Sequence, residues 1–143
     1  MLTRLFSDNQ FKALEKALDG SALRQKIITN NIANVDTPNY KSMEVTFEDE
    51  LKQALAKGTG TPYKLTVTNP RHLQLGGGNL SPDDVQAEIH EIKDYELRND
   101  KNNVDIDREM AKLSKNELYY DAVTRNLNDE LRLLRMAITE GRK

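Results

Sequence analysis

The C-terminal third of the chain constrains the rest most strongly. Ile106, Met110, Leu113, Glu117, Tyr120, Thr124, Leu127, Leu131, Leu134 and Ile138 alternate four- and three-residue steps without a slip, and eight of the ten are apolar. Only an α-helix brings such positions onto one face, so the spacing predicts a heptad seam of more than four repeats. Lys112, Lys115, Arg125, Asp129 and Arg132 fill other faces. Asp105 or Asp107 suits the N-cap, and Gly141 lies where a terminating glycine belongs. A helix over 104–140 would be roughly 55 Å long at ~1.5 Å per residue. A globule of 143 residues has no internal use for that length.

The N-terminal third repeats the pattern less cleanly. Leu14, Leu18, Ser21, Gln25, Ile28, Ile32 and Val35 keep the four-three spacing, with Phe11 one turn earlier and Asp19-Gly20 in mid-run. Glycine inside a helix weakens it, so a kink or a break is expected near Gly20. The expected fold is mainly α: long N- and C-terminal heptad helices pair as a coiled-coil-like hairpin, with a small irregular or β segment between them.

Three parts follow. Residues 1–41 hold the N-terminal helix and its stop, 42–100 a short helix with a small β and loop appendage, and 101–143 the C-terminal helix. In the middle part, residues 43–58 read as a helix closing at Gly58, with Phe47, Leu51 and Leu55 on one face. Residues 63–68 alternate like a strand, 76–84 form a flexible glycine-rich loop, and 85–97 are strand-like.

Composition narrows the chemistry. Hydrophobic residues make up 37% and charged ones 31%, with no Trp, which is thin material for a self-contained core. The net charge of -2 comes from interspersed acids and bases, so no basic nucleic-acid patch is expected. The absence of Cys rules out disulfides, thiolate metal sites and a cysteine nucleophile. His72 and His90 have no metal-ligand spacing, and the acids of 99–109 fail the EF-hand pattern in both registers, with Val104 and Asp105, or Met110 and Asn116, in place of the required residues. Those acids fit a turn and a helix N-terminus instead. No phosphate-binding glycine loop or nucleophile motif is present. The start lacks signal-peptide character, and no window approaches 18 apolar residues. No catalytic site, metal, cofactor or small-molecule substrate is expected.

One stretch remains, Asn30-Asn31-Ile32-Ala33-Asn34-Val35-Asp36-Thr37-Pro38-Asn39-Tyr40-Lys41. Pro38 disfavours helix at Thr37, so the helix must stop near Val35. Asn34 suits a left-handed helix end, Asp36 or Thr37 can bond the freed backbone groups, and Tyr40 can fold back with its hydroxyl on a polar partner. A helix stop does not account for Asn30 and Asn31, which lie upstream of it. Near an apolar seam, asparagines lower stability while fixing register or partner, so a joint fits better than an active site.

This stretch resembles the hallmark of the flagellar rod and hook proteins, with Asn30 where a small residue is usual. The flanks 23–51 and 102–143 resemble the same family, although its frequent Asp-Gly-Asn before the valine appears as Lys101-Asn102-Asn103. Short length and the compact 35–41 segment point to the short proximal-rod members. The resemblance implies a structural subunit of the flagellar basal-body rod in the periplasm, exported from the cytoplasm by the type III apparatus without a cleaved signal. Its terminal helices would pack into a torque-transmitting helical tube. The implied partners are copies of itself, other rod proteins, the rod-to-MS-ring junction proteins and the export gate. The assembly residues would be Asn30, Asn31, Asn34, Asp36, Thr37, Pro38 and Tyr40 in the turn, with Leu14, Leu18, Ile28 and Ile32 and the apolar C-terminal seam on the helices. A soluble coiled-coil adaptor or export-chaperone-like binding module is the alternative, but it has no need of the Asn-rich turn.

Overall fold

The structure is a computed structural model that describes residues 9–58, 82–92 and 99–139. Helix α1 (Asn9–Ala33) is followed by strand β1 (Met43–Thr46) and helix α2 (Glu48–Gly58). A 3₁₀ turn (Pro82–Asp84), strand β2 (Glu88–Glu91) and helix α3 (Ile106–Ile138) complete the described elements. The two long helices run antiparallel: Asn31, late in α1, bonds to Glu109, early in α3, and Ser21 meets Asn116 further along. The expected mainly α hairpin with a small β middle is therefore the observed architecture.

α1 is continuous through Gly20, contrary to the expected kink or break. The glycine serves packing instead. Phe47 lies so close that a Cβ at position 20 would sit 2.8 Å from its ring atoms. The same ring meets Tyr119 edge-on at 6.5 Å and carries the Arg24 guanidinium 4.8 Å over its face. Phe47 thus joins α1, α3 and the start of α2 around one aromatic group, at 2% exposure.

The middle part differs from expectation in a second way. Residues 43–46 are a strand, and only from Glu48 does the predicted helix begin; it does close at Gly58. β1 pairs antiparallel with β2, Met43 opposite Glu91 and Thr46 opposite Glu88. The strand-like reading of 85–97 holds for Glu88–Glu91, while 93–97, the 63–68 strand and the loop residues 76–81 lie outside the described residues. Val45, Phe47, Leu51, Ala54 and Val85 from this lobe bury against Ala13, Ala17 and Ile27 of α1 and Val123 of α3. Leu55 is not part of that face; Ala54 takes the inward position, and Leu55 is 37% exposed. The core lies where α1 is held between the lobe and α3.

α3 starts with Asp105 as N-cap, its carboxylate accepting from the backbone N–H groups of Asp107 and Arg108. It ends at Ile138 with Thr139 as C-cap; Gly141 lies outside the described residues. Its buried residues are Glu109, Asn116 and Val123, each one residue before a member of the predicted seam, Met110, Glu117 and Thr124. At 3.6 residues per turn that offset rotates the packed face by about 100°. The hairpin closes on a largely polar seam, and much of the apolar stripe faces outward. Ile106, Met110, Tyr120, Leu131 and Ile138 are all exposed, while Leu113, Leu127 and Leu134 are half-buried. On α1, Ile28 is buried and Leu14, Leu18 and Ile32 are half-buried.

Candidate functional site

The joint is built from two interlocking loops, the stop after α1 and the entry to α3. In the first, Tyr40 N–H donates to the Thr37 carbonyl at 3.3 Å, with Pro38 and Asn39 between them. Asn39 has φ 61°, so Pro at the second position and a left-handed residue at the third give the pattern of a type II turn. The left-handed residue is Asn39, not Asn34 as the sequence led one to expect. Asn34 instead sends its amide back to the Asn30 carbonyl at 2.8 Å and accepts from the Thr37 hydroxyl at 3.2 Å.

Asn31 is the centre of the joint and is fully buried. Its Nδ2 donates to the Met43 carbonyl at 2.8 Å and to Glu109 Oε2 at 2.9 Å. Its Oδ1 accepts from Met43 N–H at 3.0 Å and from the Tyr40 hydroxyl at 3.1 Å. Both donors and both acceptor positions are used, so one side chain ties α1, the turn, β1 and α3 together. Asn30 is exposed and contributes a 3.4 Å bond from its amide to the Tyr40 hydroxyl. Burial, and then the Glu109 carboxylate nearby, push the Tyr40 phenol above its ordinary value of 10.0.

The second loop supplies residues the sequence did not single out. Asn102, fully buried, donates from Nδ2 to the carbonyls of Asn34, Val35 and Thr37 at 2.9–3.0 Å. Those carbonyls line the turn just past the end of α1, so a residue more than sixty positions away holds the helix stop in place. Its Oδ1 accepts from Val104 N–H at 2.7 Å. Asn103 accepts from Ser42 N–H and donates to the Ile92 carbonyl, both at 2.7 Å, holding the ends of β1 and β2. Lys101 turns the chain at φ 62°, and Asn39 N–H reaches the Asp100 carbonyl at 2.9 Å. The signal available in the sequence was a second Asn-Asn pair, one residue short of the N-cap of α3, echoing Asn30-Asn31.

From the joint the polar seam continues along α3. Glu109 is 3% exposed and takes Asn31 on one oxygen and Lys112 Nζ, at 2.9 Å, on the other. Asn116 donates to the Ser21 carbonyl at 2.9 Å, and its Oδ1 has no partner. A cavity of about 300 Å³ between α1, β1 and α3 is walled by Arg24, Glu48, Glu109, Lys112 and Asn116 among others. Arg24 and Glu48 pair through two contacts of 2.5 and 2.6 Å. For Glu48, burial acts to raise the carboxyl pKa, but the Arg24 bond and charge with backbone bonds outweigh it and leave it below 4.5. These groups neutralise one another rather than leaving a free base or acid. Among the described residues no cluster of three or more His, Cys, Asp or Glu could hold a metal, and no helix is long and apolar enough to cross a membrane.

The predicted turn residues thus divide. Asn31 lies buried in the joint, and Asn34 and Tyr40 are half-buried around it. Asn30, Asp36, Thr37 and Pro38 are exposed at its tip. The arrangement ties two long helices together in one register. Fold and site together define a helical-hairpin structural protein with a hydrogen-bonded joint and an apolar stripe on its outer face.

Comparison with known proteins agrees. The family described as "Flagella basal body rod protein" matches residues 12–41, most of α1 and the turn after it. The chain is 35% identical over 129 residues to the flagellar basal body rod protein FlgB of Bacillus subtilis, covering 90% of this chain and 92% of that one. It is 43% identical over 109 residues to FlgB of Borrelia hermsii, covering 75% and 78%. Against FlgB of Yersinia enterocolitica it is 29% identical over 143 residues, covering 99% and 100%. The chain belongs to the FlgB family of flagellar basal body rod proteins.

Proposed function

We propose that this chain is a structural subunit of the proximal rod, built into a helical tube through its terminal helices and transmitting torque there. The observation that carries the reading is the outward stripe of α3: Ile106, Met110, Tyr120, Leu131 and Ile138 are between 39% and 64% exposed on a helix whose buried residues are Glu109, Asn116 and Val123. A stripe that long is costly to leave in water, since burying a Leu or Ile contributes about 1.5–3 kcal/mol. Neighbouring subunits are the natural cover.

In this reading residues 1–41 and 101–143 form the part that meets neighbours, and 42–100 the appendage. The turn acts in assembly through Asn31, Asn34 and Tyr40, which set the angle at which both helices are presented. Asn30, Asp36, Thr37 and Pro38 lie where a neighbour can touch them. Copies of this chain, other rod proteins, the rod-to-MS-ring junction and the export gate are the proposed partners. The proposed place is the periplasmic rod, reached by export without a cleaved signal. A soluble adaptor or export-chaperone-like module would use the same stripe for one partner.

Electron microscopy of the purified protein, alone and mixed with other rod components, separates the two. Ordered tubes or ring-bound layers are expected, and discrete small complexes would favour the adaptor. Pro38→Ala or Tyr40→Ala is expected to impair motility through assembly while synthesis continues; normal basal bodies at normal number would mean the turn is a dispensable stop.

A further inference from the structure

The chain holds no Cys, so an oxidant that attacks sulfur can act only on its four methionines. Met43, Met110 and Met136 lie among the described residues, and they differ in access. Met43 is half-buried and packs against the core beside α1. Met110 and Met136 are 47% and 53% exposed on α3. Only Met110 belongs to the outward stripe, one turn past Ile106 and one turn before Leu113; Met136 lies off that series. A thioether suits such a surface, because Met is apolar and its rotatable bonds adapt to an irregular neighbour. It is also the one sulfur on the stripe, and so the place where an oxidant can turn an apolar contact polar.

We propose that Met110 is a site of oxidative modification by hydrogen peroxide, open in the free subunit, and that the modified subunit fails to assemble. The proposal rests on the rod-subunit reading and adds a chemical control on it. A lone pair of the Met110 sulfur attacks one peroxide oxygen, the S–O bond forms as the O–O bond breaks, and the leaving oxygen takes both protons and departs as water. Sulfur loses a pair of electrons and the peroxide gains it, leaving methionine sulfoxide. The sulfoxide oxygen is a polar acceptor on an apolar stripe. A neighbour that covers the stripe would strip water from it without offering a donor, which is costly. Once a neighbour covers an unmodified Met110, the same contact keeps peroxide out. Oxidation therefore acts before assembly and not after it.

The purified full chain is treated with hydrogen peroxide, and sulfoxide formation at each methionine is followed by peptide mass spectrometry. Met110 and Met136 should react severalfold faster than Met43, and Met110 should react severalfold more slowly in isolated basal bodies than in the free subunit. In cells, Met110→Gln puts a neutral polar side chain at the site. Met, Gln and Leu have similar helix propensities, so these exchanges leave α3 itself little affected. Basal bodies from Met110→Gln should lack completed rods, while Met110→Leu and Met136→Gln should leave rods at normal number. Met110 reacting no faster than Met43, or equally fast in the free chain and in basal bodies, would overturn the proposed site. Normal rods with Met110→Gln, or an equal loss with Met110→Leu or Met136→Gln, would overturn its effect on assembly. Each of those results leaves rod membership standing; absence of the unsubstituted chain from basal bodies would remove both.

Discussion

Asn31 spends every hydrogen bond it can make inside one molecule, so its loss leaves several partners stranded at once. In Asn31→Ala the Met43 N–H, the Tyr40 hydroxyl and a Glu109 oxygen lose a buried partner. Each net bond is worth about 1 kcal/mol, and an unsatisfied buried group costs about 1–3 kcal/mol, so the substitution should cost roughly 3 kcal/mol or more in urea unfolding. Asn30→Ala, at an exposed site with a long bond, should cost well under half of that. Lys101 offers the opposite case. Its φ of 62° strains a residue with a Cβ, so Lys101→Gly should raise stability by up to about 1 kcal/mol, and Lys101→Val should lower it. Tyr40 gives a pH test. Its folded pKa is raised above 10.0, so its contribution is intact below that pH and is lost as pH rises through the folded value. Tyr40→Phe should therefore flatten the alkaline limb of the stability profile. Asn102 was not legible at this scale, because the carbonyls it caps are 65–68 residues away in the chain.

Helices of this length announce themselves by period, and α1, α2 and α3 all lie close to where the apolar spacing put them. Four-residue strands do not: β1 continues into α2 through Phe47, and its first residues carried no separate signal. The packed face of α3 was also illegible, for a physical reason. Apolar periodicity marks a surface that needs cover, but it does not say whether the cover comes from the same chain. Here the internal cover fell on Glu109, Asn116 and Val123, whose polar members pair with Asn31 and the Ser21 carbonyl. Gly20 tests the packing between elements. Alanine is the better helix former by about 1 kcal/mol. Yet a Cβ there meets the Phe47 ring at 2.8 Å, so Gly20→Ala should lower the thermal midpoint through overpacking of about 1–3 kcal/mol. Phe47→Leu added to Gly20→Ala should recover part of that loss; strictly additive losses would mean the ring is not the obstacle. Glu48 acts at the same contact. Its folded pKa is depressed, so its pairing with Arg24 stabilises above the ordinary value of 4.5 and fades as pH falls through the folded value. Glu48→Gln should make the acid limb less steep.

As a whole molecule the chain is secured at one end and open along its length. The joint and the lobe hold α1 to α3 through asparagines and one aromatic group, while the outer stripe of α3 has water for a neighbour. Stability of a long helix comes mainly from packing, so residues 131–139 should exchange amide hydrogens faster than 106–123 in the free subunit and slow down on assembly. Equal and strong protection of both segments at low concentration would mean the hairpin is complete without neighbours. The central claim is that the joint works inside the subunit and the stripe works between subunits. Met110→Asp with Leu131→Asp tests it, because both side chains are exposed and neither makes a hydrogen bond of the joint. Each exposed substitution of this kind changes stability by about 0.5 kcal/mol or less, and an unfolding free energy within about 1 kcal/mol of the parent for the pair confirms an intact subunit. The decisive measurement is electron microscopy of basal bodies from cells making the doubly substituted chain. The account predicts basal bodies without completed rods; rods of normal form and number would contradict it.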